Sequence, residues 1–247
     1  MRGRCGLLLV AWRLLVLVGL IGLVEPHGVR AQGLPVRGSV GITNKGISFV
    51  PAFSLGKPAI AFSNAIGRRL RFEPELRFAL EDGRPWSFIF WWRYDLRSDE
   101  KWHLRVGAHP ALSFTTRTVE GEALIVARRF LAGEVAVRYR LTPQVLAGVY
   151  YLYAHGLEPS VHRHGHFLSV QPGLTFSVHP GWVLGLYPQV YYLRLDERQG
   201  FYAATSLTLS LPRTPFSLSV LVNKILHTRI TGEDWLWNVS LIYRYRM

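Results

Sequence analysis

A chain of 247 residues with 49% hydrophobic content has material for one domain rather than two. Its single cysteine, Cys5, excludes a disulfide framework and leaves no thiolate metal site in the rest of the chain. The formal charge of +13 admits three classes of partner: nucleic acid, an anionic membrane surface or an anionic solute.

The first 31 residues have the three parts of a secretory signal. Arg2 and Arg4 supply the basic end, Gly6 to Val24 the apolar run, and Val29-Arg30-Ala31 a small-residue exit. A spanning helix needs about 20 apolar residues, and Arg13 splits this run into shorter pieces. Residues 1–31 are therefore read as a signal peptide and 32–247 as the mature domain. Cleavage removes four arginines with Glu25 and leaves the mature chain basic. No basic cluster interleaved with base-stacking aromatics follows, so nucleic acid is not expected as a partner.

Beyond the signal the hydrophobic period is two. From Arg69, the odd positions read Arg69, Arg71, Glu73, Glu75 and Arg77, and the even ones Leu70, Phe72, Leu76, Phe78 and Leu80. A helix would mix these sets. The same alternation predicts twelve strands, near 47–55, 58–66, 68–80, 86–97, 102–118, 123–140, 145–156, 165–178, 182–194, 201–211, 216–228 and 235–246. Turn chemistry separates them, as at Glu81-Asp82-Gly83, Thr142-Pro143 and Arg198-Gln199-Gly200. With no helical pattern between strands, the expected fold is all-β, an antiparallel barrel of about twelve strands. Pro51, Pro74, Pro110, Pro172 and Pro188 fall inside these strands on the apolar phase, where bulges are expected.

About eight strands make an interior that side chains fill, whereas twelve enclose a wider space for polar groups and water. Small polar residues dominate one face, as at Ser206, Thr208 and Ser210, or Ser169, Gln171 and Thr175. On the apolar face, aromatics gather near strand ends, including Trp86, Tyr94, Trp102, Trp182, Tyr192, Trp235 and Trp237, as in interfacial girdles. Together these place the charged stripe inside and the apolar face toward lipid. A soluble ligand-binding barrel would have the reverse orientation, with Arg71 outside and Phe72 inside.

The last strand ends with Val239, Leu241, Tyr243, Tyr245 and Met247 at every second position. In this pattern it resembles the assembly signal of Gram-negative outer-membrane β-barrel proteins, which usually end on an aromatic where this chain has Met247. The resemblance implies a porin-like barrel in the outer membrane, with outer-membrane lipid and the barrel-assembly machinery as partners. It names no subfamily. An even strand number puts both termini in the periplasm and the loops near Lys57, Gly83, Gly121, Pro159, Gln199 and Gly232 outside.

The predicted lumen lining comprises Arg69, Arg71, Glu73, Glu75 and Arg77, then Arg93 and Asp95, His103, Arg105 and His109, Arg128, Glu134, Arg138 and Arg140, and Arg244. A turn centred on Gly83 would set Glu73 opposite Arg93 and Arg71 opposite Asp95. Such a lining either plugs the barrel or makes a pore for small anionic solutes. Arg129 takes the outward phase near a loop and is expected at lipid phosphates. His162, His164 and His166 form a weak metal candidate, and no cofactor is expected. A lipid-modifying enzyme is the alternative, but His166 and Ser169 differ by an odd number and fall on opposite faces.

Overall fold

The computed structural model describes residues 33–119, 122–179, 181–211 and 213–247; the predicted signal peptide lies outside them. Thirteen β-segments are described: β1 (Val36–Thr43), β2 (Ala59–Gly67), β3 (Leu70–Ala79), β4 (Pro85–Ser98), β5 (Trp102–Val119), β6 (Glu122–Arg140), β7 (Val145–Gly156), β8 (His164–Val170), β9 (Gly173–His179), β10 (Trp182–Leu195), β11 (Arg198–Ser210), β12 (Phe216–Thr228) and β13 (Trp235–Arg246). Segments β8 and β9 run in line between β7 and β10, so the wall has twelve staves. Each stave pairs antiparallel with its sequence neighbour, and β13 pairs with β1 to close the barrel.

Closure explains why the period is two throughout. With every stave flanked by two others, alternate side chains must choose between the two faces. Phe62, Trp92, Val135, Val149, Leu168, Val190, Leu207 and Leu241 are exposed on the outside. Arg71, on the opposite phase to Phe72, is bonded to Glu73 and Asp95 inside. An apolar exterior over a charged interior is the arrangement of a membrane barrel and the inverse of a soluble one.

The first predicted strand is wrong. Residues 47–55 are not in the wall, and the stave expected there is Val36–Thr43, which lacks an aromatic signature and alternates small residues instead. The segment 44–58 between β1 and β2 folds back on itself, with Ile47 bridged to Ser54 and the Ser48 amide donating to the Phe53 carbonyl at 2.8 Å. Its tip enters the lumen, where Val50 is 3% exposed. Alternation at Phe49, Pro51 and Phe53 reflects this small hairpin, not a stave.

The turn between β10 and β11 also lies earlier than predicted. It is Asp196-Glu197, with Leu195 paired to Arg198, so Gln199 and Gly200 belong to the strand. Asp196 has φ 52°, and its carboxylate accepts bonds from the amides of Arg163 and His164 at 3.1 and 2.7 Å. Aspartate tolerates the left-handed region because its short polar side chain can bond locally.

The in-strand prolines do not sit at bulges. Pro172 and Pro188 face each other: pairing stops at Leu186 with Leu174 and resumes in the same register at Val190 with Val170. Pro74 lies where the β2–β3 ladder is interrupted between Ser63–Glu75 and Ile66–Phe72, and Pro110 where β4–β5 is interrupted between Ile89–Ala111 and Trp92–Ala108. Each proline turns its missing donor toward one neighbour only, so one short gap results and the register survives. The register shifts are elsewhere, between Arg77 and Phe78, Asp95 and Arg97, Trp182 and Val183, and Phe201 and Tyr202.

Candidate functional site

The lumen has two unlike walls and a segment between them. On the β3–β6 side the charged residues form one network. Arg71 donates from Nε to Glu73 at 2.7 Å and is paired with Asp95, which also lies 3.0 Å from His103 Nε2. Arg93 bonds Glu73 and reaches Glu134 through two bonds, Nε to Oε1 at 2.8 Å and Nη2 to Oε2 at 3.0 Å. Arg105 Nε lies 3.0 Å from the same Oε1, and the Tyr150 hydroxyl donates to Oε2 at 2.7 Å. The Glu134 carboxylate is thus fully buried among two guanidiniums and a phenol. Glu75 pairs with Arg77, which also bonds Ser87.

The predicted cross-strand partners meet, but by another route. Arg71 stands directly opposite Arg93, and Glu73 opposite Trp91, so the opposite charges pair diagonally. The turn is centred earlier than Gly83, between Glu81 and Asp82, where Phe78 pairs with Pro85, and the register shift between Arg77 and Phe78 restores only one of the three positions lost. The same shift brings Trp86 beneath the Arg77 guanidinium at 5.3 Å, so Trp86 leaves the predicted outer girdle.

Two residues that make this wall work escaped the sequence reading. Gly107 is paired with Arg93 on one side and Glu134 on the other, and a Cβ there would lie 3.0 Å from Arg93 Cγ and 3.1 Å from Glu134 Oε1. Its missing side chain lets Arg93 cross β5 to reach β6. A glycine on the inward phase between strands of opposite charge is the signal that was available. Tyr150 shares the inward phase of β7 and was visible only as another aromatic.

Other predicted lining residues are dispersed. His109 is buried with its ring 3.9 Å from that of Trp91. Arg244 bonds Ser217, while Arg138 and Arg140 take the inward phase at the end of the barrel that carries the termini. Arg128 lies toward the other end, opposite Ser113. Arg69 does not join the lining. It occupies the turn before β3, donates to the carbonyls of Asp95 and Leu96 at 2.8 and 2.9 Å, and lies 5.0 Å over Tyr94 of the outer face.

The second wall is uncharged. Ser39, Thr43, Ser63, Ser206, Ser219, Asn238 and Ser240 face a cavity of about 290 Å³ that Glu75 and Arg77 border from the charged side. Phe49 of the inserted segment closes this cavity toward the loops and meets Trp91, Tyr150 and Phe167 edge-on at 6.1 to 6.2 Å. Around it an apolar cluster fills the loop-side lumen: Val50, Trp91, Leu152, Phe167, Tyr191, Leu193 and Tyr202. Tyr191 and Tyr202 stack at 4.8 Å, and the Tyr191 hydroxyl donates to Asn223 at 2.8 Å. The other face of the segment borders a second cavity of about 260 Å³ at the mouth, with Phe53, Ile230 and Glu233 in its wall. Lys45 with Glu233 at 3.3 Å, and Lys57 with Asp82 at 3.3 Å, tie the two legs of the segment to the rim.

On the outside, Arg129 is exposed as predicted, and its Nε is paired with Glu158 of the β7–β8 loop at 2.5 Å. This guanidinium holds the Glu158 carboxyl below its ordinary range, chiefly through that hydrogen bond. The three candidate metal ligands do not converge. His162 lies 3.3 Å from Asp196, while His164 and His166 bond the hydroxyls of Tyr153 and Tyr151 on the outer face. No group of three ligating side chains gathers among the described residues. His166 and Ser169 point to opposite faces, Ser169 being buried inside.

At the C-terminus, Leu241 and Tyr243 are exposed on the outside, with Val239 on the same phase. Tyr245 lies across Gly38, where a Cβ would overlap its ring, and its hydroxyl donates to Asn64 at 2.6 Å. This side chain therefore straps three staves, β13, β1 and β2, at the closing seam.

No family model matches the chain, and no curated protein matches it in sequence. Solved structures do match in fold. An outer-membrane channel from Pseudomonas putida F1 superposes with a TM-score of 0.55 at 10% identity, over 91% of this chain and all of that one, 100%. A membrane protein crystallised in meso gives 0.50 at 10% identity, over 86% and 84% of the two chains. The NanC porin gives 0.48 at 12% identity, over 86% and 98%. At such identities the likeness extends to the fold, and the fold is that of the outer-membrane β-barrels of Gram-negative bacteria.

Proposed function

We propose that this chain is a narrow outer-membrane channel for small anionic solutes, with residues 44–58 setting its width. The observation that carries the reading is the partition of the lumen. The inserted segment fills the loop-side half with apolar side chains yet leaves a serine-lined cavity beside Glu75 and Arg77. A barrel of pure structural role has no need of an uncharged hydroxyl wall opposite a charged one. Hydroxyls exchange hydrogen bonds with a passing solute at little cost, whereas the arginines set the field it meets.

The sign of that field follows from the pairing. The charged network balances itself, since Glu73, Asp95 and Glu134 lie among Arg71, Arg93 and Arg105, and Glu75 pairs with Arg77, so the surplus must come from arginines outside it. Arg138, Arg140, Arg244 and Arg246 add positive charge at the terminal mouth, and Arg37 stands opposite Arg246 across the seam. Positive charge facing a low-dielectric lumen concentrates anions and weakens with salt, since screening acts over about 8 Å at physiological strength. Purified protein in a planar bilayer under a salt gradient should give an anion-selective reversal potential. Replacing residues 48–53 by a short Gly/Ser linker should raise conductance roughly threefold or more, because a twelve-stave wall encloses a wider space than the segment leaves. A cation-selective current, or an unchanged conductance in that variant, would refute the reading.

The same reading puts the termini in the periplasm, the loops outside, and the outward face of β13 in contact with the barrel-assembly machinery during insertion. Val239, Leu241, Tyr243, Tyr245 and Met247 are the residues that machinery would meet.

A further inference from the structure

The outer face of β7, β8 and β10 is graded in four rows toward the loops. Val149, Val170 and Val190 form the first row, paired across the staves and each about half exposed. Tyr151, Leu168 and Tyr192 form the second, and Tyr153, His166 and Arg194 the third. In the fourth, His155 stands beside His164, whose carbonyl accepts from the Asp196 amide at 2.7 Å. Apolar, amphipathic and nitrogen-bearing side chains thus succeed one another in the order of hydrocarbon, interface and headgroup.

The height of these rows agrees. On β6 the fourth row falls at Leu131, opposite His155, and the terminal-side girdle at Tyr139, whose ring lies 4.7 Å from that of Trp102. Eight residues at about 3.4 Å each, tilted about 40°, span ~21 Å, close to the ~25 Å apolar band of such barrels.

The donors are set up for an oxyanion. The Tyr151 hydroxyl bonds Nδ1 of His166 at 2.9 Å, and the Tyr153 hydroxyl bonds Nδ1 of His164 at 2.7 Å. With Nδ1 of each ring engaged by a tyrosine hydroxyl, Nε2 is the ring nitrogen left to meet a ligand oxygen. Tyr153 also lies 5.2 Å from the His166 ring, which keeps both imidazoles on one patch. Arg194 spends Nε on the Asp196 carbonyl at 2.7 Å and keeps its terminal nitrogens for another acceptor. Of the carboxylates at this end, Glu158 is engaged by Arg129 and Asp196 by the amides of Arg163 and His164, and the exposed Glu197 follows Asp196 in the turn.

We infer that His164, His166 and Arg194 seat the phosphate of a phosphorylated glycolipid headgroup in the loop-side leaflet. This rests on the outer-membrane orientation proposed above, though not on the lumen's conducting. It moves the lipid contact from Arg129, whose charge Glu158 occupies, to the neighbouring staves. The protein should be reconstituted in phosphatidylethanolamine vesicles containing lipid A, extracted gently, and its retained lipid read by native mass spectrometry. Wild type should keep lipid A, and R194Q/H166Q should lose at least about tenfold of it, while R129Q changes it by less than about twofold. Equal retention by the double variant, retention of dephosphorylated lipid A, or displacement by millimolar inorganic phosphate would each overturn the inference. Because all three side chains lie outside the lumen, the double variant should keep wild-type conductance. That readout verifies folding and keeps a failed lipid result separate from a failed channel.

Discussion

Glu134 and Gly107 show how single residues organise the charged wall. Glu134→Gln would leave Arg93 and Arg105 buried with their shared counter-charge removed, a change that costs about 3–5 kcal/mol in buried networks. Gly107→Ala keeps every charge but puts a methyl group 3.0 Å from Arg93 Cγ, and overpacking of this kind costs roughly 1–3 kcal/mol. Urea unfolding in lipid should therefore rank wild type above G107A above E134Q, and a fully stable E134Q would show that the network is dispensable. At the loop, the Glu158 pKa is lowered by Arg129, so the contact stabilises the folded loop above the ordinary carboxylate range and is lost as pH falls through the depressed value. The Leu157 amide, bonded to the Arg129 carbonyl at 3.0 Å, should stay protected through the ordinary carboxylate range and show acceleration relative to a free amide only below it. In R129Q that acceleration should begin at higher pH; the same onset in both proteins would detach the effect from this pair.

At the scale of elements, most staves were legible because a wall closed on itself forces one face to lipid and the other to the lumen. Arg71 and Phe72 need only opposite phases for that, and no tertiary detail. The segment 47–55 was misread for the same reason. Its apolar residues alternate like a stave, yet they face a lumen that a local pattern cannot place. Inward aromatics at Trp91, Phe167, Tyr191 and Tyr202 sit on the phase of the charges, and they were the trace of something apolar inside. The charged residues were legible as a set, but their partners depended on a turn centred before Gly83 and a one-residue register shift beside it, which turn chemistry alone did not locate. The prolines make a test at this scale. P172V/P188V restores both donors in the facing gap, and at about 1 kcal/mol for each net backbone bond it should gain roughly 1–2 kcal/mol and slow amide exchange across β9–β10. If the gap is held open by the neighbouring glycines rather than the prolines, neither quantity will move.

For the whole molecule, the closing seam and the charged wall use one device on opposite faces. A long side chain crosses a glycine on the middle of three staves: Tyr245 over Gly38 outside, Arg93 over Gly107 inside. Each ties next-nearest neighbours, which the ladder alone cannot do. The first lies at the joint between chain ends, where a cyclic wall would otherwise unzip; the second stiffens the side facing the inserted segment. Sequence alternation could place these residues on their faces, but only the register revealed that they span three staves.

The long β5–β6 hairpin leaves that cyclic wall. Ladder pairing with β4 stops at Ser113 and with β7 at Phe130, while β5 and β6 remain paired to Val119 and Glu122. Above Arg129, which the β7–β8 loop still holds through Leu157 and Glu158, residues 122–128 project ~23 Å at about 3.3 Å each, as a two-stranded ribbon with no further ladder partner among the described residues. This ribbon stands beyond the loop-side mouth of the barrel. Changes at its end are mechanically remote from the charged wall and the inserted segment, so the ribbon can vary in sequence while the lumen keeps its lining.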